Sequence, residues 1–237
     1  MKVLISVGLA ALFSSSYAEL VAWFPLTGHG ADVIRGAKGV TLGDARFDSV
    51  DSRSALGLGG KNGALFVPDS PQFALGPSFS VSVQVWIKSW PKGGTSPAGQ
   101  IVFRGDDRSG LDNFSMNVGE DGFYTFYMNS PENEGAGVRV PAKLNCWQTL
   151  LGTFDSTTKK LSLMVDGFVA AEQYTPCVPV TKMLADHHPG LSIGNVQNPL
   201  GGCHNQPFNG FIRDVRLFNS VATWDEATKP VKVRSGS

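Results

Sequence analysis

The amino-acid sequence predicts an all-β fold in which two antiparallel sheets pack face to face as a sandwich. The first observation is the unbroken alternation of Phe79–Ile87, which places five apolar side chains on one face and polar ones on the other. The second is a pair of Asp-Gly dipeptides, at 121–122 and 166–167, each between two short apolar runs. Asp-Gly tolerates the positive φ of a two-residue type I′ turn, so the flanking strands must pair antiparallel. The third is the two-residue alternation of 208–219.

The remaining strands are shorter runs of the same kind, separated by turn residues. No segment has the length and periodicity of an amphipathic helix. The 28 glycines and 14 prolines fall mostly between the runs, as in a loop-rich sandwich. The predicted strands are 20–26, 64–67, 79–87, 114–118, 123–128, 161–165, 168–171 and 210–219.

The first 18 residues have the composition of an export signal. Lys2 supplies the positive start, 3–13 are apolar, and Ser16-Tyr17-Ala18 is a small-residue cleavage site. The alternative is a buried first helix or strand, but three serines interrupt the run and a new alternating segment follows. We therefore expect a signal peptide at 1–18, a secreted, extracellular protein, one domain at 19–228 and a polar tail at 229–237.

The charge balance limits the classes of partner. The chain has 20 basic and 20 acidic residues, and loss of Lys2 with the signal would leave 19 against 20. Without a basic excess, nucleic acid and anionic membrane surfaces are poor partner candidates. No second apolar stretch of membrane-spanning length follows the signal.

Several motifs, in order, resemble the laminin-G-like family of concanavalin A-like jelly rolls, which is related to the pentraxins. The opening strand is followed by a Gly- and Asp-rich loop with Asp32, and Phe79–Ile87 carries Trp86 where the family has a tryptophan. The segment Trp147–Asp155 resembles W-x-H-L-A-x-T-Y-D, from which it departs at Leu150 and Phe154. The later matches are 160–167, which resembles L-x-L-Y-V-D-G, and 210–219, which resembles the closing strand.

The resemblance implies a jelly-roll sandwich and leaves three functions open, because this fold carries unrelated activities. The leading hypothesis is a secreted, non-catalytic module that recognises glycans or extracellular partners. The alternative is a divergent polysaccharide hydrolase or lyase, and the third is a structural role in a cell-wall or matrix assembly.

The residues favour binding over catalysis. Retaining glycosidases on this fold need two carboxylates about 5 Å apart on one strand face, as in Glu-x-Asp-x-x-Glu. The acidic residues of this chain lie in turns instead, at 105–108, 120–122 and 132–134. The four histidines lie in Gly- or Pro-flanked loops, where a metal site at 187–188 or 204 is an alternative to surface exposure.

Sugar recognition would combine stacking on aromatic rings with planar hydrogen-bonding groups on the concave sheet. The polar face of Phe79–Ile87 supplies candidates, and tyrosines of the first Asp-Gly hairpin could lie on neighbouring strands. Trp90 and the loop 104–108 could form the rim of the site. The alternative is that Trp86 and the tyrosines are ordinary core. The candidate ligand-binding residues are Gln84, Trp86, Lys88, Trp90, Arg104, Tyr124 and Tyr127.

The resemblance also implies a structural Ca²⁺ ion. Family members often bind one through an acidic residue of the N-terminal loop and the Asp of the closing strand, here Asp32 and Asp214, with a carbonyl near Gly60. Hard oxygen ligands suit Ca²⁺. The alternative for Asp214 is an ion pair with Arg213 or Arg216.

Three cysteines follow the signal, so at most one internal disulfide can form. The resemblance implies a Cys177–Cys203 bridge, and Cys146 is expected to be a small buried side chain. Asn113-Phe114-Ser115 is a glycosylation sequon that only a eukaryotic source could use.

Overall fold

The structure is a computed structural model that describes residues 17–92, 98–106, 108, 111–196 and 205–231. In this part of the chain the predicted strands form, and further short strands join them. The first strands are β1 (Leu20–Phe24), β2 (Val40–Leu42), β3 (Arg46–Val50), β4 (Arg53–Gly59), β5 (Ala64–Pro68), β6 (Phe79–Ile87), β7 (Ala98–Gly105) and β8 (Phe114–Gly119). The later strands are β9 (Phe123–Asn129), β10 (Gly135–Pro141), β11 (Trp147–Asp155), β12 (Lys160–Val165), β13 (Phe168–Tyr174), β14 (Gly190–Ile193) and β15 (Asn209–Phe218). A short helix, α1, spans Trp224–Thr228, and single 3-10 turns lie at Pro71–Phe73 and Ala185–His187.

These strands form the two antiparallel sheets that the sequence predicts. Sheet I has the spatial order β13, β12, β11, β6, β15, β4 and β3, with β1 pairing beside β15. Sheet II has the order β10, β9, β8, β7, β14, β5 and β2. The prediction of an all-β sandwich is confirmed.

Strand β6 shows how the alternation builds the core. Its five apolar side chains are fully buried between the sheets, because alternate residues of a strand point to opposite faces. The ring of Phe79 lies 5.7 Å from that of Phe114 and 6.1 Å from that of Phe126, both in sheet II. Burying one such ring stabilises the fold by about 2 kcal/mol. The side chains on the other side of β6 therefore lie on the outer surface of sheet I.

The two Asp-Gly dipeptides form different turns. Val165 pairs directly with Phe168, and both residues between them have positive φ, as a two-residue type I′ turn requires. At the first dipeptide the prediction of a two-residue turn is wrong. Val118 pairs with Tyr124, so a longer connection joins β8 to β9, and only its Gly122 has positive φ.

Strand β15 changes its partner part-way along its length. Residues 209–212 pair with β4 and residues 215–218 pair with β1, while β6 lies along the other side of β15 throughout. The register shifts between Arg213 and Arg216, and Asp214 in this bulge has φ 53°. An extra residue bends the strand locally, which allows the two partners to share one edge.

The C-terminal segment covers one part of the outer surface of sheet I. Helix α1 begins at a capping box in which Thr223 and Glu226 bond to each other's backbone. Leu151 and Phe218 of the sheet pack against Ala222 and Ala227 of this segment. The residues farther along β6 and β15 stay uncovered, and the candidate site lies there.

The N-terminal and C-terminal predictions are only partly within the described residues. Residues 1–16, which hold most of the predicted signal, lie outside them, as do residues 232–237 of the predicted tail. Strand β1 begins one residue after the predicted mature start, Glu19. No helix in the described part of the chain is long and apolar enough to cross a membrane.

Candidate binding face

A continuous row of side chains crosses the open part of the outer surface of sheet I. Arg46, Gly57, Phe211, Trp86 and Trp147 lie directly opposite one another on β3, β4, β15, β6 and β11. We call Phe211, Trp86 and Trp147 the aromatic row. All three rings are partly exposed, and neighbouring strands bring them about 5 Å apart from one strand to the next.

The sequence around each ring explains why the row lies on the outer surface. Trp86 stands between Val85 and Ile87, which are fully buried in the core, and Phe211 precedes Ile212, which is also fully buried. Because side chains alternate along a strand, both rings must point outward. Their centroids are 5.7 Å apart at an interplanar angle of 76°, an edge-to-face contact that fixes their relative position.

Glycine 57 leaves room for the edge of the row. A Cβ atom at this position would lie 3.3 Å from Cε1 of Phe211 and 3.4 Å from the carbonyl oxygen of Arg46. A side chain here would press on the phenylalanine ring, so the present position of Phe211 depends on the absence of one.

Two guanidinium groups lie at the aromatic row. The Arg53 guanidinium is 5.7 Å from the centroid of the Trp147 ring, within the range of a cation–π contact. Arg213 pairs across the strands with Gln84, which in turn pairs with Thr149. A second, polar row of Arg213, Gln84 and Thr149 therefore runs beside the aromatic one.

Three hydrogen-bond donors on this face are buried without an acceptor. They are the indole Nε1 atoms of Trp86 and Trp147 and the Nε atom of Arg213. A buried donor without a partner is unfavourable by about 1–3 kcal/mol, so native structures seldom leave several together. Indole and guanidinium nitrogens can only donate, and these three atoms lie beneath the surface of the face rather than on it.

The structure places three of the predicted ligand-binding residues together. Gln84 and Trp86 lie on the open face, and the exposed Lys88 follows the end of β6. The prediction that the polar side of this strand faces outward is therefore confirmed.

The two predicted tyrosines do not join this face, because β9 belongs to sheet II. Tyr124 is fully buried between the sheets and its hydroxyl donates to Oε1 of Gln148 at 3.0 Å. Burial raises the pKa of Tyr124 well above its ordinary value. Tyr127 lies on the outer side of sheet II against Gly135 and Gly137. The expectation that these residues line one surface with Trp86 is corrected.

Arg104 and Trp90 are also corrected. Arg104 is 1% exposed, pairs across strands with the core residue Leu191, and its Nη2 lies 3.1 Å from Oδ1 of Asp69. Burial lowers the pKa of Arg104 against the opposing charge of Asp69. Trp90 packs against the core and against Gly122 of the first hairpin. Both side chains support the fold rather than the open face.

The pair Asp32 and Asp214 does not fit a shared Ca²⁺ ion. The two oxygens of the buried Asp32 accept from the backbone nitrogens of Trp23, Ile34 and Arg35 and from Nε2 of Gln72, all within 3.0 Å. Asp214 accepts from Nε1 of Trp23 and from two nitrogens of Arg216. These N–H donors occupy the lone pairs that a cation would need, so the ion-pair alternative describes Asp214 better.

The predicted disulfide falls partly outside the described residues, because Cys203 does. Cys177 is buried and has no disulfide partner among the described residues; its Sγ contacts the carbonyl oxygen of Glu134 at 3.5 Å, and burial raises the pKa of the thiol. Cys146 is free and partly buried. The Cys177–Cys203 bridge stays a prediction.

Neither the sequon nor the histidine loops form a site among the described residues. Asn113 is fully buried and its Nδ2 donates to the carbonyl oxygen of Val180 at 2.6 Å, so folding hides the sequon. His204 lies outside the described residues. In the part of the chain that the structure covers, no three His, Cys, Asp or Glu side chains are grouped as metal ligands.

Sequence reasoning missed four residues of this face: Trp147, Phe211, Arg53 and Arg213. The first two lie in strands that the sequence predicts, and the alternation of side chains along those strands could have shown that both point to the outer surface. Their meeting with Trp86 depends on the pairing of strands more than 60 residues apart along the chain, which no local pattern reports.

Comparison with known proteins agrees with the architecture. The family model described as the concanavalin A-like lectin/glucanases superfamily matches residues 58–228. No curated protein matches the chain significantly.

Solved structures with a similar fold share little sequence with this chain. Domain 4 of AbnA, a GH43 extracellular arabinanase from Geobacillus stearothermophilus, in complex with arabinotriose, is 17% identical, with a TM-score of 0.63 over 90% of this chain and 98% of its own. The botulinum neurotoxin serotype D binding domain is 11% identical, with a TM-score of 0.64 over 85% of this chain and 48% of its own. The CBM40 of the Ruminococcus gnavus IT-sialidase, bound to α2,3 sialyllactose, is 12% identical, with a TM-score of 0.55 over 80% of this chain and 93% of its own.

Proposed function

Since the chain belongs to the concanavalin A-like lectin/glucanase superfamily, we propose that it is an exported glycan-binding module that acts without catalysis. The proposal assigns binding to the open outer face of sheet I. Export rests on the composition of residues 1–18.

The aromatic row is the observation that carries the proposal. Sugars present apolar C–H faces and polar edges, so they bind where aromatic rings lie beside hydrogen-bonding groups. Phe211, Trp86 and Trp147 supply the rings, and Gln84 and Arg213 stand next to them on the polar row. Three rings on adjacent strands cover about 10 Å, enough for a short oligosaccharide rather than a single sugar.

The comparisons add support of a general kind. Arabinotriose and α2,3 sialyllactose occupy two of the similar structures, which are therefore sugar-binding domains built on this fold. Because identity is below 20%, their binding positions are not carried over to this chain.

The acidic residues beside the aromatic row already have local partners. Asp48 accepts from Arg46 at 3.4 Å and from the backbone of Ser49, and Oδ1 of Asp166 accepts from the backbone of Thr149. These contacts hold strands and a turn in place, which supports binding without glycosidic cleavage.

The experiment uses the mature protein, 19–237, on a glycan array and then in titrations with the strongest ligand. We expect Trp86→Ala and Trp147→Ala each to weaken binding at least about tenfold, since loss of a stacked ring removes a central anchor. Phe123→Ala is the matched control, because Phe123 is an exposed aromatic residue of β9 in sheet II, away from the open face of sheet I. Melting curves of each variant separate lost binding from lost folding.

Two results would overturn the proposal. One is retention of full affinity in both tryptophan variants, whether or not Phe123→Ala changes it. The other is release of reducing sugar from a polysaccharide panel by the mature protein, which would make it a hydrolase or lyase.

A further inference from the structure

We propose that the glycan recognised on this face carries a carboxylate, and that Arg213 and Arg53 receive it. This inference rests on the proposed function and adds the chemical class of the ligand. The shared chemistry is an acidic sugar, of the uronate or the sialate kind.

The ion pairs of the described residues single out these two arginines. Of the eight described arginines, six have a carboxylate partner within 4.0 Å. The two that have none, Arg53 and Arg213, both lie at the aromatic row.

The local charge at the aromatic row is positive. Lys88 is a third cation there without an ion pair among the described residues. The acidic side chains around the aromatic row are Asp48, which pairs with Arg46, Asp166, which accepts from the backbone of Thr149, and Asp51 in the turn before Arg53, so positive charges outnumber negative ones. A cluster of positive charges attracts a negatively charged ligand and raises its rate of association.

The donors at Arg213 fit a carboxylate better than a hydroxyl. Its half-buried side chain lies on the open face and has no carboxylate partner among the described residues. A carboxylate only accepts hydrogen bonds, can take two from one guanidinium, and forms charge-assisted bonds about twice as strong as neutral ones. A sugar hydroxyl can satisfy one donor but leaves the charge of the guanidinium uncompensated.

Backbone geometry holds Arg53 at the face. Asp51 and Ser52 have φ of 51° and 58°, so a tight turn reverses the chain immediately before β4. Arg53 is the first residue of β4 and its guanidinium reaches the ring of Trp147. The cation–π contact keeps the group over the row while its N–H edges stay free to bind an anion.

The test compares ligands that differ only in the carboxylate. Isothermal titration of the mature protein is made with a galacturonate oligosaccharide and with the same oligosaccharide after carboxyl reduction. A second pair, α2,3 sialyllactose and its carboxyl-reduced form, distinguishes the sialate from the uronate source. We expect at least one acidic ligand to bind at least tenfold more tightly than its neutral counterpart, with an affinity that falls as salt rises.

The variants assign the preference to the two arginines. Arg213→Gln and Arg53→Gln are each expected to weaken the acidic ligand about tenfold or more and to weaken the neutral ligand by a clearly smaller factor, because glutamine keeps an N–H donor but not the positive charge. Arg139→Gln is the matched control, because Arg139 is an exposed arginine of sheet II that pairs with Asp121. Melting curves confirm that each variant is folded.

The outcomes separate this inference from the proposed function. Equal affinity for acidic and neutral ligands, with loss of both in Trp86→Ala, would overturn the inference and retain glycan binding on this face. An acidic preference that Arg139→Gln reduces as much as Arg213→Gln would also overturn it. Binding of neither ligand pair or of any array glycan would overturn both.

Discussion

The indole Nε1 of Trp23 donates a hydrogen bond to Oδ1 of Asp214 at 2.6 Å, and this bond joins the first strand to the bulge of the last. The guanidinium of Arg216 binds both oxygens of the same carboxylate and lies 5.2 Å from the centroid of the Trp23 ring. The backbone nitrogen of Trp23 donates to Asp32. Trp23 thus connects the two carboxylates that the family resemblance assigned to calcium.

We predict that Asp214→Ala lowers the free energy of unfolding by about 3 kcal/mol, because it leaves the guanidinium of Arg216 buried without a carboxylate. The side chains of this pair are 4% and 14% exposed. Urea denaturation followed by tryptophan fluorescence measures the change. Asp48→Ala is the control, since its pair with Arg46 is solvent-exposed and should contribute less than about 1 kcal/mol. Equal effects of the two substitutions would contradict the structural role of Asp214.

We predict that EGTA leaves the melting temperature of the mature protein unchanged. Both carboxylates of the pair accept N–H donors from the protein, so removal of calcium takes nothing from them. Differential scanning calorimetry in EGTA and in excess CaCl₂ measures this. A melting temperature that rises with CaCl₂ in the wild type and not in Asp214→Asn would show that the pair binds the ion.

The sequence predicted what depends on local spacing and missed what depends on strand pairing. The outward position of Trp86 follows from the alternation of β6 alone, and the type I′ turn at 166–167 follows from its dipeptide. Tyr124 was assigned to the wrong sheet, since a strand's alternation is the same whichever sheet it joins. Arg104 was expected at the rim as the first residue of a loop that runs to Arg108, yet its strand partners place it in the interior.

We predict that stability falls as pH rises from about 4 to about 7, and that Asp112 is the cause. Burial, and secondarily the charge of Asp106, raises the pKa of Asp112 to about 7 from an ordinary value of 3.8. The folded protein therefore keeps a proton that the unfolded chain releases above pH 4, so this contribution is complete below pH 4 and is lost by about pH 7.

Asp112→Asn removes the titrating group and should flatten the dependence of the unfolding free energy on pH within that window. The full effect of such a shift is at most about 4 kcal/mol. Urea denaturation at several pH values between 4 and 8 measures it for both proteins. Parallel curves for wild type and variant would contradict the assignment. Asp106 affects stability in a more acidic pH range than Asp112. Hydrogen bonds from Arg108 and from the backbone of Leu184 outweigh the effect of burial and lower the pKa of Asp106.

We predict that Tyr124→Phe leaves glycan affinity unchanged and lowers the free energy of unfolding by about 1 kcal/mol. The hydroxyl of Tyr124 donates to Oε1 of Gln148, which also accepts from the backbone of Lys143, and none of these groups reaches the aromatic row. Loss of one buried hydrogen bond accounts for the magnitude. Titration and urea denaturation measure the two quantities. A weaker affinity in this variant would return the tyrosine to the binding site.

We predict that Gly57→Val weakens glycan binding without unfolding the protein. Gly57 has no positive φ, so a β-branched residue is compatible with the backbone of β4, but its Cβ would lie 3.3 Å from Cε1 of Phe211 and its methyl groups would displace that ring. The stability should change by less than about 1 kcal/mol, since strand propensity offsets part of the crowding. Gly76→Val is the matched control, because its Cβ would meet only backbone oxygens at 3.4 and 3.7 Å, away from the face. Titration of both variants with the wild-type ligand measures the effect, and an unchanged affinity in Gly57→Val would remove Phe211 from the site.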